Sequence, residues 1–81
     1  MRIIIEANPG RLASITYYDG IGNQIYPPHT LAINEITNYI NNISDEHDIY
    51  EIIIAGPKNY TTKIAENLKQ VFKNTNFTLL V

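Results

Sequence analysis

The sequence contains no cysteine, no tryptophan and no apolar run of the length that crosses a membrane. The missing cysteines exclude disulfide bonds and thiolate metal ligands. A membrane span needs about 20 consecutive apolar residues, whereas Glu6 interrupts the first run after three isoleucines. We therefore expect neither a signal peptide nor a membrane segment. With 81 residues the chain is long enough for one small core, so we expect a single cytoplasmic domain over residues 1–81.

Charge is also scarce, with six basic residues, eight acidic residues and a net charge of -2. A nucleic-acid-binding protein usually neutralises several phosphates with a dense basic patch. The charge balance therefore disfavours nucleic acid as a partner, although it leaves room for a local contact. Isoleucine and asparagine are common, a bias typical of AT-rich genomes, which fits a bacterial or phage origin.

Three strands are predicted in the first third of the chain. Residues 2–7 form a β-branched run, residues 11–18 alternate between apolar and polar side chains, and residues 24–26 form a short return strand. The turn at residues 19–23 is rich in glycine, and Pro27 and Pro28 are expected to stop the third strand. These strands are therefore predicted to form an antiparallel meander.

Two amphipathic helices are predicted after the meander. Thr30 is a plausible N-cap for the first helix, and Thr61 or Thr62 for the second. Apolar residues then recur at helical spacing over 32–43 and 64–72. Residues 44–48 form an acidic, solvated loop that contains His47, and residues 49–55 and 77–81 are predicted as strands.

The predicted order is β-β-β-α-β-α-β, which indicates an α/β fold with a mixed five-stranded sheet and two helices. Helical crossovers make their flanking strands parallel, so we expect the first strand beside the fourth. The isoleucine runs of the first and fourth strands are continuous, which predicts strands that are covered on both faces. The first, fourth and fifth strands are the most apolar and are expected at the centre of the sheet, covered by helices. The residues predicted for the core are Ile4 or its neighbours, Ile36, Ile40, Ile53, Leu68 and Phe72.

This order of elements resembles the ribonuclease-H-like core, which nucleases, resolvases, integrases and the halves of actin-like ATPases share. Nucleases of that fold hold two metal ions with carboxylates on the first strand, the first helix and the end of the fourth strand. If the chain were a nuclease, the resemblance would assign Glu6 and Glu35 to the first two positions. The fourth strand ends in Ala55 and Gly56 without an acid, so we predict no metal site, no cofactor and no catalysis.

Residues 52–68 resemble the strand, Gly-Pro turn and helix of the central domain of eukaryotic-type release factors and Pelota-like ribosome rescue proteins. In an open α/β sheet, ligands bind outside the carboxyl ends of the strands. Free amides at a helix N-terminus favour an anion there. Gly56, Lys58, Thr61 and Thr62 are therefore candidates for an anion-binding loop, although the same residues also suit an ordinary strand-to-helix connection.

Tyrosines supply most of the aromatic side chains, and Tyr17, Tyr18 and Tyr26 are candidates for an interface. An uncovered sheet face or edge strand normally needs a partner. We therefore predict a non-catalytic binding or assembly module that contacts another protein or itself, with a homo-oligomer expected. The alternatives are a divergent metal-dependent nuclease or nucleic-acid-processing domain, and a small phage-type inhibitor of a partner protein.

Overall fold

The computed structural model describes residues 1–8, 10, 12–44 and 48–81. Its five strands are β1 (Arg2–Asn8), β2 (Leu12–Tyr18), β3 (Gln24–Ala32), β4 (Glu51–Ala55) and β5 (Asn76–Leu80). They form one mixed sheet in the order β3-β2-β1-β4-β5. The first three strands are antiparallel, whereas β1, β4 and β5 run parallel. The predicted element order, the five-stranded mixed sheet and the pairing of the first strand with the fourth are confirmed.

Two helices cover one face of this sheet. A 3-10 turn (Ile33–Glu35) leads into α1 (Ile36–Ser44), and α2 (Lys58–Val71) joins β4 to β5. Among the described residues, no helix is long and apolar enough to cross a membrane. The single hydrophobic core lies between the helices and the sheet, and we call this face of the sheet the covered face.

Alternation along the central strands divides the covered face from an open face. Ile3, Ile5 and Ala7 of β1 are buried under the helices, while Ile4 is only half-buried. In β4, the buried residues are Ile52 and Ile54. The expectation that these isoleucine runs are covered on both faces is therefore wrong. The predicted core residue Ile53 points to the open face, where it pairs in register with Ile4.

The helices bury the stripes that their spacing predicts. Ile36 and Ile40 of α1 and Leu68 of α2 are in the core, as expected, while Phe72 packs against it and stays half-buried. The predicted N-caps are wrong. Thr30 lies within β3, because that strand continues to Ala32. Pro57 precedes the first turn of α2, so Thr61 and Thr62 lie inside the helix.

The two edges of the sheet also differ from expectation. β3 does not stop at the prolines but runs through them, and its pairing with β2 shifts register between Ile15 and Tyr17. Proline lacks an amide hydrogen and is tolerated at edges and irregularities of this kind. The fifth strand was expected at the sheet centre, but β5 is the opposite edge. The predicted loop at residues 44–48 has its middle, residues 45–47, outside the described residues.

Candidate functional site

The two edges of the sheet are protected to very different degrees. β3 contains Pro27 and Pro28 and is irregular in its pairing, and both features hinder another strand from adding to it. β5 reads Asn-Phe-Thr-Leu-Leu and contains neither proline nor charge. Short, twisted, charged or proline-bearing edges are the usual protection against strand addition. Of these protective features, β5 has only its short length of five residues.

Within the described part of the chain, the backbone of β5 presents hydrogen-bonding groups without partners on its outer side. The Asn76 amide donates to the Tyr50 carbonyl at 3.1 Å, and the Leu80 carbonyl accepts from the Gly56 amide at 3.1 Å. Asn76 and Leu80 thus direct their peptide groups toward the β4 side. Because peptide groups alternate in direction along a parallel strand, those of Phe77 and Leu79 point away from the sheet. We call this outward row of groups the β5 edge.

Apolar side chains surround the β5 edge. Leu79, Leu80 and Val81 expose 37, 57 and 74% of their surface. Leu79 lies on the covered face beside Phe77, whereas Leu80 lies on the open face beside Thr78. Single exposed apolar residues are common on protein surfaces, but three consecutive exposed aliphatic residues at an unprotected edge form a surface suited to a partner strand.

A basic depression adjoins the β5 edge on the covered face. The apolar stripe of α2 points Leu68 into the core, which leaves Lys69 and Lys73 near the C-terminal end of the helix on its exposed flank. The Lys69 ammonium nitrogen lies 5.7 Å from the centre of the Phe77 ring. A depression of about 450 Å³, which we call the lysine pocket, is lined by Lys69, Phe72, Lys73, Thr75, Asn76 and Phe77.

Basic residues are concentrated in the C-terminal part of the chain and acidic residues in the part before it. Residues 56–81 carry four lysines against one glutamate, whereas residues 1–55 carry two arginines against seven carboxylates. The part of the chain that contains α2 and β5 is therefore basic within an acidic protein. Cations near a helix C-terminus are also stabilised by the helix dipole, which gives the lysines a structural reason to be there as well.

The four residues of the predicted anion loop do not converge on one point. The Gly56 amide is engaged by Leu80, and the amides of Tyr60 and Thr61 both bond to the Pro57 carbonyl. Thr61 is fully buried, and its hydroxyl donates to the Lys58 carbonyl at 3.2 Å.

Of the four, Lys58 is exposed, Gly56 and Thr62 are half-buried, and Thr61 is buried. Lys58 and Thr62 line a shallow, open depression together with Asn59, Lys63 and Glu66. The loop has the backbone of an ordinary strand-to-helix connection, and its anion-binding role stays a prediction.

Glu6 and Glu35, the two carboxylates that a nuclease would need, lie on different elements. Glu6 is exposed on the open face of β1, opposite the face on which α1 packs, and Glu35 is exposed in the 3-10 turn before α1. Within the described ranges, no group of three or more metal-ligating residues is found. Across these residues, the arrangement of a two-metal nuclease is not assembled.

The tyrosines predicted at an interface divide between core and surface. Tyr17 is fully buried on the covered face, and its ring packs edge-on against Tyr26 at 5.7 Å between centres. Burial raises the pKa of the Tyr17 hydroxyl far above its usual value, and the adjacent Tyr39 adds to this rise. Tyr17 is therefore a core residue, whereas Tyr18 on the other face is half-buried and Tyr26 is exposed.

Comparison of the chain with models of protein families, with curated proteins and with solved structures gave no match. Sequence reasoning did not single out Phe77, Leu79, Lys69 or Lys73, which surround the β5 edge. A signal was present, because Lys69 and Lys73, four residues apart, precede an uncharged strand, but only the sheet order shows that this strand is an edge.

Proposed function

We propose that this chain is a non-catalytic binding module that acts through protein–protein contacts on a ribonuclease-H-like core. The core assignment is supported by the strand order β3-β2-β1-β4-β5, with an antiparallel meander followed by two parallel strands. The non-catalytic role is supported by the placement of Glu6 on the open face of β1 and of Glu35 in the 3-10 turn before α1, and by Ala55 and Gly56, which put no acid at the end of β4.

The observation that carries the binding function is the β5 edge. It combines outward peptide groups at Phe77 and Leu79 with exposed apolar side chains and no protecting charge. A strand with these properties pairs readily with another extended segment. A monomeric protein without a binding role gains nothing from leaving such an edge open, because it invites aggregation.

The test removes one outward amide of the edge and keeps the pairing with β4. Leu79→Pro deletes an amide hydrogen that faces away from β4, while Leu79→Ala removes the side chain and keeps that amide. Tagged wild-type and variant chains are used to capture proteins from extracts of the host, and bound proteins are quantified by mass spectrometry. We expect at least one protein that the wild type and Leu79→Ala retain and Leu79→Pro loses. Equal capture by all three chains would place binding elsewhere, and no specific capture would reject a protein-binding function.

Self-association is a separate prediction, because the partner of an assembly module can be a second copy. Sedimentation equilibrium at micromolar concentrations measures it directly. A homo-oligomer gives a mass above 9.2 kDa that rises with concentration. A monomer mass that is unchanged over a concentration range of about tenfold would leave only a different protein as partner.

A further inference from the structure

We infer that the β5 edge binds an acidic, extended segment of a partner protein, which adds to the sheet as a sixth strand beside β5. This inference rests on the proposed function and specifies the chemistry of the partner. It follows from the combination of the β5 edge with the lysine pocket, since the first selects a strand and the second selects its charge.

The edge supplies main-chain bonding. Phe77 and Leu79 each direct one amide and one carbonyl outward, so an incoming strand forms up to four hydrogen bonds with these two residues. Such bonds are independent of the partner's side chains, and alternate side chains of the added strand then fall on opposite faces. One set of alternate side chains lies over the covered face, beside the lysine pocket, and the other set lies beside Leu80.

The lysine pocket supplies the preference for acid. Phe72 and Phe77 give the lining apolar surface that suits the methylene stem of a glutamate, and Lys69 and Lys73 add two positive charges to the same lining, with the Lys69 ammonium nitrogen 5.7 Å from the centre of the Phe77 ring. Asn76 and Thr75 complete the lining with neutral polar groups, so none of the described residues that line the pocket is acidic. The complementary strand therefore carries carboxylates at the positions over the covered face. Beside Leu80 it carries β-branched or other apolar residues.

A second copy of the chain fits the same edge poorly. Two copies paired antiparallel through β5 are related by a twofold axis perpendicular to the sheet, so both α2 helices lie on the same side and next to each other. Each helix has three lysines against the single acid Glu66, and Lys73 lies two residues beyond the end of the helix. Like charges facing each other across an interface oppose association.

Nucleic acid also fits less well than a protein strand. Phosphates would meet the two lysines of the pocket, but they would leave the outward peptide groups of Phe77 and Leu79 without partners. The exposed side chains at this edge are aliphatic, at Leu79, Leu80 and Val81, whereas single-stranded nucleic acid is usually bound by stacking on aromatic side chains.

The test uses a fluorescently labelled synthetic peptide of alternating glutamate and valine, with fluorescence anisotropy as the readout. A matched peptide has lysine in place of each glutamate, and a third has a central proline that prevents strand pairing. The full chain is titrated against each peptide at low salt and at high salt. We expect binding of the acidic peptide only, weakened by salt because the lysines attract it electrostatically.

Variants of the chain separate the backbone from the charge contribution. Lys69→Glu combined with Lys73→Glu is expected to weaken binding about tenfold or more, since attraction becomes repulsion at two positions. Lys63→Glu is the matched control, because Lys63 is an exposed lysine of the same helix away from the lysine pocket, and it should change binding less than about twofold. Leu79→Pro should weaken binding about tenfold relative to Leu79→Ala, with circular dichroism confirming that both variants are folded.

Three results would overturn the inference. Equal binding of the acidic and basic peptides would remove the charge preference. A labelled oligonucleotide that binds more tightly than the acidic peptide, and that Lys69→Glu abolishes but Leu79→Pro does not, would assign the pocket to phosphate. A dimer that Leu79→Pro dissociates would assign the edge to a second copy. If capture of a host protein still depends on the Leu79 amide in any of these cases, the binding function stands and only the acidic partner is rejected.

Discussion

Replacing Gly56 with alanine is predicted to be among the most damaging small substitutions in this chain. Gly56 ends β4 at a φ of +135°, a conformation that residues with a Cβ rarely adopt. A Cβ placed there would lie 2.6 Å from the Ala7 carbonyl oxygen and 3.2 Å from the Ala7 Cβ. The oxygen belongs to the backbone of the central strand β1, so it cannot move aside as a flexible side chain would.

The magnitude follows from two costs. Backbone strain at such a φ costs about 1–3 kcal/mol, and an overpacked contact in a core costs about 1–3 kcal/mol. Gly56→Ala should therefore lower the free energy of unfolding by about 2–6 kcal/mol, out of roughly 4–12 kcal/mol for a domain of this size. The loss should extend to β5, because the Gly56 amide holds the Leu80 carbonyl at 3.1 Å.

Gly22→Ala is the matched control for this prediction. Gly22 also has a positive φ, +91°, but no atom lies within 4 Å of a Cβ built on it. Its alanine variant should show only the strain cost, about 1–3 kcal/mol. Urea unfolding followed by far-UV circular dichroism gives both free energies, with the slope in urea checked for constancy. If Gly56→Ala is no less stable than Gly22→Ala, the close approach of β4 to Ala7 does not exist as described.

Two further predictions concern the core and the absence of catalysis. The Tyr17 hydroxyl is buried without a hydrogen-bond partner in the described part of the chain. Tyr17→Phe keeps the ring, including its packing at 6.3 Å from Tyr39, so thermal melts should show unchanged or slightly raised stability, up to about 1 kcal/mol. A loss of more than about 1 kcal/mol would mean that the hydroxyl is bonded. The chain is also expected not to cleave DNA, RNA or hybrid substrates with magnesium or manganese, and metal-dependent cleavage that Glu6→Gln abolishes would revive the nuclease alternative.

The order of elements could be predicted because it depends on local patterns and on general rules of chain connection. The alternation in β2 and the helical spacing of Ile36, Ile40 and Leu68 are visible in the sequence. Crossover handedness and the parallel pairing it implies then place β1 beside β4. Neither step requires knowledge of the contacts between residues that are distant in sequence.

The extent of burial could not be predicted from the isoleucine runs. Three consecutive isoleucines suit a strand covered on both faces, but they equally suit a strand with one covered face, because an isoleucine is tolerated on a half-buried face as well. Ile53 is such a residue, with Ile52 and Ile54 buried on either side of it in sequence. The number of layers on the sheet decides between these structures, and no local pattern specifies it.

Pro27 and Pro28 show why strand bounds were wrong at the edge. Turn chemistry predicts that the two prolines end the strand, as they would in a central strand, where proline removes ladder hydrogen bonds. β3 is an edge strand, and the prolines lie where its register with β2 shifts, between the pairs Ile15–His29 and Tyr17–Tyr26. The cost of proline in a strand therefore depends on the position of that strand in the sheet.

The position of each strand in the sheet also distinguishes the two edges, and the candidate site depends on this difference. A single lysine within β5 would hinder strand addition, but Lys69 stands instead on α2, over the Phe77 ring, and Lys73 lines the lysine pocket from just beyond the helix. In that position they leave the outward peptide groups accessible. They repel a second copy, whose own helix carries the same charges, and they attract an acidic strand. Positive charge beside an edge thus selects a partner, whereas positive charge within it would exclude all partners.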